Sequence, residues 1–359
     1  NNLKKEYRLK SLTQLPFIFI SDPQSKYHGF RIGDVVKITR VSKTNFKSIS
    51  YRLVVENEQE SDEINYDDMI DQSYNSIMEE DTLTKMQKVT ITLTAGDVAE
   101  NHVGMQQIGK KVAKGKGFSL KDFKNIIKKC EEKNIKTELI NLNKLIEGIQ
   151  TKKDKKQLKS EPAYILILRN GLEELVKPLT KEDMFTELNS LQWDTKKWEE
   201  RFKALQDKHA RHNLCFDIKS QKADYTTKGR KKGTIISYDD VPNTKKVLDS
   251  VSELIGPKGK GLVVEGNKYY DIKKTGIGYH GDAERRKVVA WRLGEKMSLH
   301  YQWFIRSVPI GKNIQLTING GDIYLMSEKA VGTDWKLSTK PTLRHAAGSD
   351  SFAINPIKK

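Results

Sequence analysis

Three residues near the end of the chain have the types and spacing of a metal-binding triad. His280 and Asp282 are one residue apart, so on an extended strand both side chains point to the same face. A third ligand from a distant strand, for which we predict His345, would complete a set of two imidazoles and one carboxylate. Such a set leaves coordination positions open and is typical of non-haem Fe(II) centres. The nearer His300 is the alternative third ligand.

Short strand-like runs separated by glycines fill the segment between His280 and His345. The runs are Val288–Leu293, Leu299–Phe304, Ile314–Ile318 and Asp322–Met326. They are numerous enough to bring the chain back across a barrel, so that the distant histidine reaches the first two ligands. Such a series of strands predicts a sandwich or a jelly roll.

The motifs around the triad resemble those of the iron(II)/2-oxoglutarate dioxygenases of AlkB type, over residues 210–359. The matching residues are Asn267-Lys268-Tyr269, His280-Gly281-Asp282-Ala283-Glu284, Gly321-Asp322-Ile323-Tyr324-Leu325-Met326-Ser327 and His345. The resemblance implies a double-stranded β-helix, or jelly roll, in which His280, Asp282 and His345 hold Fe(II) and are catalytic. It also implies that Asn267 and Tyr269 bind 2-oxoglutarate, and that the enzyme dealkylates or hydroxylates nucleic acid.

The sequence departs from the dioxygenase pattern at one position. The family places an arginine beyond the late histidine, where its guanidinium pairs with the 2-oxoglutarate carboxylate. After His345 the chain has no arginine, and its basic residues there are Lys358 and Lys359. Either Lys358, or Arg344, or an arginine from another strand takes that role, or the protein continues beyond Lys359.

The charge of the chain predicts a polyanionic partner. The formal net charge is +17, which favours nucleic acid, although a lysine-rich surface from an AT-biased genome is the alternative. A basic glycine-containing loop near residue 230 suits the phosphate backbone, and the segment that begins at residue 210 resembles part of the AlkB-type lid over the nucleotide. We predict nucleic-acid contacts at Arg211, His212, Arg230, Lys231, Lys232, Arg285 and Arg286. Ion pairs with Glu284 or Glu295 are the alternative role of the last two arginines.

A separate β-rich module is predicted at residues 1–55, from strand-like runs around turn signals at Asp22-Pro23 and Gly33-Asp34. It resembles the C-terminal assembly domain of subunit 5 of eukaryotic RNA polymerases, which archaeal polymerases also contain. The residues that carry the resemblance are Leu15, Pro16, Asp22, Pro23, Tyr27, Gly29, Gly33-Asp34-Val35-Val36-Lys37-Ile38, Arg40, Ser42, Tyr51 and Arg52-Leu53-Val54. The resemblance implies docking onto the largest polymerase subunit and no chemistry of its own.

Three further segments separate these two regions. Residues 56–86 are predicted to be an acidic linker, because a block of like charges repels itself and stays solvated. Alternation in Val89–Leu93 and a helix capped by Ser119 indicate an α/β unit over 87–178. Residues 179–209 are predicted to be a helical connector. The predicted fold class is therefore multidomain α+β, with a small β-rich assembly domain, an α/β middle unit and a C-terminal jelly roll.

Cysteine usage and hydropathy predict a protein of a reducing compartment, which is the cytoplasm, the nucleus or a virion. The two cysteines, Cys130 and Cys215, occur in no paired motif, so we expect free thiols. We expect neither secretion nor membrane insertion, since no apolar run approaches the ~18 residues that span a bilayer and no signal peptide is recognisable. No particular oligomeric state is predicted.

Two functions follow from these observations. The first is an Fe(II)/2-oxoglutarate-dependent dioxygenase that acts on nucleic acid and is tethered to a polymerase-docking module. The alternative is a non-catalytic subunit of DNA-directed RNA polymerase, or a transcription-associated binding protein. Both can hold in one chain, and a fusion of this kind would fit a large DNA virus.

Overall fold

The computed structural model describes residue 12 and the ranges 15–40, 48–55, 89–150, 156–226 and 231–353. The chain divides into two compact units, Asn1–Asn75 and Ser76–Lys359. The predicted acidic linker at 56–86 lies outside the described residues, as do Arg230 and Lys358 of the predicted site.

The described part of the smaller unit is a three-stranded sheet with one helix. The strands are β1 (Phe17–Phe19), β2 (Val35–Arg40) and β3 (Ser48–Val55). Strand β3 lies in the middle, parallel to β1 and antiparallel to β2. Helix α1 (Pro23–His28) begins after Asp22, whose carboxylate accepts a hydrogen bond from the backbone N–H of Gln24, and ends at Gly29 in the left-handed region. The predicted strands and the turn at Gly33 are confirmed in this unit, whereas Asp22-Pro23, predicted as a turn, begins α1.

The larger unit is built on two β-sheets flanked by helices. Its strands are β4 (Thr90–Gly96), β5 (Val98–Glu100), β6 (Gln107–Gly109), β7 (Thr137–Asn141), β8 (Tyr164–Leu168), β9 (Lys196–Glu199), β10 (Ala204–Asp207), β11 (His212–Asp217), β12 (Ile235–Ser237), β13 (Val263–Tyr269), β14 (Gly276–His280), β15 (Val288–Gly294), β16 (Met297–Ile305), β17 (Val308–Ile318), β18 (Ile323–Met326) and β19 (Thr342–Gly348). Its α-helices are α2 (Leu120–Glu132), α3 (Gly171–Val176), α4 (Lys181–Asn189), α5 (Pro242–Ile255), α6 (Glu328–Val331) and α7 (Asp350–Ala353), and short 3-10 helices cover Leu142–Ile146, Tyr238–Asp240 and Pro257–Gly259.

The larger sheet has the strand order β12-β11-β13-β4-β15-β18-β8-β7, and the smaller sheet has the order β14-β19-β16-β17. Neighbouring strands are antiparallel, except that β11 and β12 are parallel. Strand β4, from the start of the unit, thus lies between β13 and β15. The segments 87–178 and 210–359, predicted as separate units, therefore contribute neighbouring strands to one sheet.

Alternation along the strands divides the side chains of the larger sheet between two cores. Leu93 of β4 and Trp291 of β15 pack in a core shared with α2, α3, α4 and α5. Thr92, beside Leu93, and Arg292, beside Trp291, point to the opposite face of the larger sheet. On that face a second core, which includes Trp303 of β16, lies between the two sheets.

The structure is β-rich with several sheets and helices, which confirms the coarse fold class. Neither sheet closes into a barrel within the described residues. The predicted helix over 179–209 is wrong beyond Asn189. There the indole N–H of Trp193 donates to the carbonyl of Leu188 at 2.9 Å, Asp194 pairs with Asn213, and the chain continues into the hairpin of β9 and β10.

The two cysteines are free and buried, which agrees with the expected free thiols. Cys130 lies on α2 in the core between helices and sheet, and Cys215 lies on β11 in a small cluster with Ala99 and Ile235. Burial raises the pKa of Cys130 to about 11 and raises that of Cys215 further. No helix in the described ranges is long and apolar enough to cross a membrane.

Phe216 on β11 is fully buried between the sheet and the helices, whereas Phe202 in the hairpin is 61% exposed. We expect Phe216→Ala to lower the free energy of unfolding by about 3–5 kcal/mol through the cavity it leaves. The matched control Phe202→Ala should change it by less than about 0.5 kcal/mol. Urea unfolding followed by circular dichroism measures both, and equal effects would contradict this assignment of the core.

Candidate metal centre

Backbone pairing brings the three predicted ligands together. His280 ends β14 and lies opposite His345 on β19. Asp282 follows two residues later, after Gly281, in the turn that leaves the strand. Gly281 approaches Gly332 so closely that an added Cβ would overlap its carbonyl oxygen. A glycine is therefore required in the turn that carries Asp282 to the two histidines.

The distances within this triad fit a small cation. One ligand atom from each residue lies within 4.8 Å of the others. Nε2 of His280 is 3.5 Å and Nε2 of His345 is 3.6 Å from Oδ1 of Asp282, which is too long for a hydrogen bond. Atoms bound at about 2.1 Å to one ion are about 3.0–3.4 Å apart. Each histidine nitrogen thus lies close to the separation from Asp282 that a shared ion would set.

Two of the ligands have the protonation state that a metal requires. Nδ1 of His280 lies 2.8 Å from the carbonyl oxygen of Gly278, which directs the Nε2 lone pair at the triad. Burial and the neighbouring His345 lower the pKa of His280 to about 3, so its imidazole is neutral. Burial acts to raise the pKa of Asp282, but His345 and Arg285 outweigh it and hold that pKa well below its usual range. Asp282 is therefore ionised.

Arg285 lies in a buried cluster of carboxylates beside the triad. Its Nη2 is 2.5 Å from Oε2 of Glu265 and 2.9 Å from Oε1 of Glu284, and its Nε is 3.8 Å from Oδ2 of Asp282. The side chain is only 4% exposed, so the structure does not bring it to a surface where it could contact phosphate. The alternative role, an ion pair with Glu284, is the one observed. Arg285 thereby positions Asp282.

Arg286, the other arginine of this segment, is also engaged within the protein. Its Nη1 is 2.9 Å from Oε1 of Glu328, and its backbone N–H donates to Oδ1 of Asp97. Glu328 also accepts hydrogen bonds from the backbone N–H groups of Gly115 and Gly117. Arg286 therefore helps to fix the loops around the site.

A cavity of about 200 Å³ lies beside the triad, between the two sheets. Its polar lining from the larger sheet consists of Thr92, Thr94, Glu265, Asn267, Tyr269, Arg292 and Tyr324. Asn267 and Tyr269, predicted to bind 2-oxoglutarate, thus share the cavity with the triad. The side-chain oxygen of Asn267 accepts hydrogen bonds from Arg211 and Asn213, both at 2.7 Å.

Two other predicted positions lie away from this cavity. Arg344 is the neighbour of His345 on β19, so its side chain points to the opposite face, where it stacks on Phe304 at 4.3 Å and on Trp335 at 5.1 Å. His300 on β16 lies opposite Ala346 on β19 and is not part of the ligand cluster. The structure therefore favours His345 over His300 as the third ligand and does not bring Arg344 to the site.

Some residues predicted to contact nucleic acid lie near the cavity. Arg211 lines it, and the ring of His212 stacks on Tyr270 with 4.5 Å between centroids. Lys231 and Lys232 are exposed. Residues 101–103 line the cavity and begin a loop that ends at Gln106. The backbone N–H of Gln106 donates a hydrogen bond to the carbonyl of Lys231. These lysines therefore lie beside the loop that lines the cavity.

Sequence reasoning missed Arg292, Tyr324 and the threonines of β4 as cavity residues. Each lies at an inward position of an alternating strand, next to residues that pack in the opposite core. The available signal was a charged residue inside the apolar run Val288–Leu293. Whether this residue faces a cavity or solvent depends on which strands are neighbours in the sheet. The strand order is determined by residues far apart in the chain.

Lys208 holds a buried polar network at one end of the cavity. Its Nζ donates to Oδ1 of Asn101 at 2.8 Å, and Nδ2 of Asn101 donates to Asp194 at 2.9 Å. Asp194 also accepts a hydrogen bond from the hydroxyl of Thr234 at 2.6 Å. Burial lowers the pKa of Lys208 to about 8. The network ties the Asn101 loop to β12 and to the hairpin.

The first residues of the chain match a family of polymerase domains. The family described as RNA polymerase Rpb5, C-terminal domain, matches residues 1–54. DNA-directed RNA polymerases I, II, and III subunit RPABC1 of Caenorhabditis briggsae is 51% identical over 53 residues, 15% of this chain and 25% of that protein. DNA-directed RNA polymerase subunit Rpo5 of Methanococcus vannielii is 44% identical over 55 residues, 15% of this chain and 69% of that protein. Residues 1–54 of the smaller unit are an Rpb5-type C-terminal domain.

A further relative covers much more of the chain. It is an uncharacterized protein of Acanthamoeba polyphaga mimivirus, 43% identical over 265 residues, 74% of this chain and 98% of that protein. The chain belongs to the family of this viral protein. An alignment of that length includes most of the larger unit, so the relationship extends well beyond the polymerase-type domain.

The lowered pKa of Lys208 predicts a pH-dependent stability. Between about pH 8 and the unfolded pKa near 10.5, the unfolded chain binds the lysine proton and the folded chain does not. The free energy of unfolding should therefore rise with pH across this window, by about 3 kcal/mol in total. In Lys208→Met this contribution should vanish. Urea titrations of both proteins at several pH values measure it, and parallel pH profiles would contradict the prediction.

Proposed function

We propose that the chain is a transcription-associated protein whose smaller unit binds an RNA polymerase. The match of residues 1–54 to the Rpb5 C-terminal domain supports this function, as do relatives named as subunits of DNA-directed RNA polymerases. The expected partner is the largest polymerase subunit. Phe17 and Phe19 on β1 are 49% and 50% exposed, while Ile18 between them is buried. This exposed aromatic edge suits a docking surface.

We further propose that the larger unit is an Fe(II)/2-oxoglutarate-dependent dioxygenase with a jelly-roll core. The observation that carries this proposal is the convergence of His280, Asp282 and His345 at the wall of a cavity that Asn267 and Tyr269 also line. The triad would hold Fe(II) from one side. When bound, such a centre couples the oxidative decarboxylation of 2-oxoglutarate by O2 to the hydroxylation of a substrate C–H bond.

The residues of this chain would prepare the site for that chemistry. Gly278 directs the lone pair of His280 at the metal position, and Arg285 holds the carboxylate of Asp282. The inner end of the cavity lies between the two sheets, where Tyr269 and Tyr324 are buried. A dry site with fixed ligands is the contribution that a protein makes to metal-dependent oxidation.

We propose nucleic acid as the substrate, to be hydroxylated or dealkylated. The formal charge of +17 supports a polyanionic substrate. Exposed Lys231 and Lys232 lie beside the loop that lines the cavity. A base that reacts in a narrow cavity has to be flipped out of a duplex or supplied single-stranded. Tethering to a polymerase would bring the cavity near such strands.

The second candidate function is non-catalytic. The comparisons support it, since residues 1–54 match a domain of polymerase subunits, and the relative that covers 74% of the chain is an uncharacterized protein. In that case the larger unit is a binding module of a polymerase subunit or of a transcription-associated protein. Metal binding distinguishes the two functions.

The triad predicts a metal-dependent response of the full chain. Under anaerobic conditions, Fe(II) with 2-oxoglutarate should give a weak visible charge-transfer band. Mn(II) at about one hundred times its Kd should raise the free energy of unfolding by about 2.7 kcal/mol. His345→Ala should abolish both effects because it removes one of three ligands.

His300→Ala is the matched control, since His300 is also a buried histidine of the smaller sheet. This variant should keep the band and the Mn(II) stabilisation. A wild-type chain that shows neither response would exclude the dioxygenase function and leave the non-catalytic one.

The smaller unit predicts retention of a polymerase. When a tagged full chain is expressed in cells that contain the polymerase, the largest polymerase subunit should co-purify with it. The double change Phe17→Ser with Phe19→Ser should reduce the retained amount at least about tenfold, because it removes exposed aromatic anchors. Phe202→Ser, an exposed aromatic of the larger unit, should leave it unchanged. Equal retention by all three proteins would contradict docking through β1.

A further inference from the structure

The seven residues that follow β6 form an exposed basic loop without an acidic residue. We call residues 110–116 the lysine loop, and its lysines are Lys110, Lys111, Lys114 and Lys116. Lys114 pairs with Glu161 at 3.2 Å, and both side chains are largely exposed, so the pair holds the two groups only weakly. In the part of the chain that the structure describes, no carboxylate pairs with Lys110 or Lys116. The lysine loop therefore presents positive charge to solvent.

Two carboxylates hold the backbone of the lysine loop from the protein side. Oδ2 of Asp97 accepts a hydrogen bond from the backbone N–H of Val112 at 2.8 Å. The carboxylate of Glu328 accepts hydrogen bonds from the backbone N–H groups of Gly115 and Gly117, each at 2.9 Å. Because both acids bind the backbone of the loop, they fix its position without binding the ends of its lysine side chains.

The lysine loop borders the cavity beside the triad. Nζ of Lys111 donates a hydrogen bond to the carbonyl of Ala283 at 2.5 Å, and Ala283 lines that cavity. Burial and the like charge of Arg286 lower the pKa of Lys111, so these two cations repel each other. An anion bound beside them would reduce this repulsion.

Lys231 and Lys232 lie at the other end of the segment that leads to the lysine loop. The carbonyl of Lys231 is bound by the backbone N–H of Gln106 at 2.8 Å. Strand β6 joins Gln106 to the lysine loop, and it pairs with β5, whose residue Glu100 lines the cavity. From Gln106 to Lys110 an extended chain spans at most about 14 Å. Roughly four nucleotides cover this distance, at about 3.4 Å per nucleotide of one strand.

We infer that the lysine loop, together with Lys231 and Lys232, binds the phosphate backbone of one nucleic-acid strand that runs along β6 past the cavity. This inference rests on the proposed nucleic-acid substrate and identifies the surface that holds it. The lysine loop contacts the strand on one side of the reacting nucleotide, and Lys231 with Lys232 contacts it on the other. Ammonium groups suit this role because they bind phosphate as point charges and position a strand without reading its bases.

The test is the salt dependence with which the full chain binds a fluorescein-labelled thymidylate dodecamer, measured by fluorescence anisotropy in EDTA. The loop variant carries Lys110→Gln, Lys114→Gln and Lys116→Gln, and it keeps Lys111, whose ammonium group is bound to Ala283. Each phosphate contact that is lost should reduce the slope of log K against log salt by about 0.7. The loop variant should therefore lose about 2 from this slope and bind at least about tenfold more weakly at ~0.1 M salt.

The matched control variant removes the same amount of charge on the far side of the larger sheet. It carries Lys124→Gln, Lys128→Gln and Lys133→Gln, exposed positions on α2 and at its C-terminal end, and α2 packs on the face opposite to the cavity. Its slope should stay within about 0.5 of the wild-type slope. Lys231→Gln with Lys232→Gln should reduce the slope by about 1.4, and this loss should add to that of the loop variant. Equal losses in the loop and control variants would overturn the inference.

The outcomes separate this inference from the proposed function, since the measurement needs no metal and is independent of the Mn(II) response of the triad. A wild-type chain that does not bind the dodecamer contradicts the nucleic-acid substrate and the inference together. Binding with an unchanged slope in the loop variant contradicts the inference alone. Polyglutamate that displaces the dodecamer at equal charge concentration would assign the surface to an acidic protein instead. Slope losses confined to the loop variant and the Lys231 and Lys232 variant support the inference.

Discussion

The antiparallel pairing of β14 with β19 is the contact on which the rest of the site depends. It places His280 opposite His345, and a slip of one residue would turn one of the two imidazoles to the other face of the sheet. The same pairing brings Asp282 within reach, because the strand ends at His280 and Gly281 permits the close approach to Gly332. Further out, Arg285 holds Asp282 and is itself held by Glu265 on the larger sheet. The ligand positions are thus set by backbone hydrogen bonds and then fixed by one buried charge cluster.

Strand β4 connects the two ends of the larger unit. It comes first in the unit, yet it lies between β13 and β15 and supplies Thr92 to the row that contains Asn267 and Arg292. The cavity therefore exists only when segments from both ends of the unit have paired. This arrangement explains why a boundary drawn near residue 178 or 210 does not correspond to a structural division. It also makes the larger unit a fold with many long-range contacts, and such folds form slowly because each contact requires the closure of a long loop.

Local signals in the sequence predicted local structure well. The capping residue Ser119 marked the start of α2, alternation marked β4, and strand-like runs marked β2, β3 and β15. The residue types of the triad were also predictable, because few side chains bind metals. The expected position of Asp282 on the same strand as His280 was wrong, since β14 ends at His280 and Asp282 follows in the turn. The failures were non-local. The helix after Asn189 ended because Trp193 and Asp194 found partners outside it. The cavity role of Arg292 was hidden, since strand order decides what faces an inward position.

The burial of Cys130 and Cys215 in different cores gives the larger unit two internal reporters of its own opening. Each thiol can react with a reagent only when the layer around it parts, since burial keeps both protonated and covered. Labelling at Cys130 would report separation of α2 from the larger sheet, and labelling at Cys215 would report loss of contact between β11 and the residues around Ala99. The rates at which the two thiols become labelled would show whether α2 and the region around Ala99 separate from the larger sheet together or one after the other.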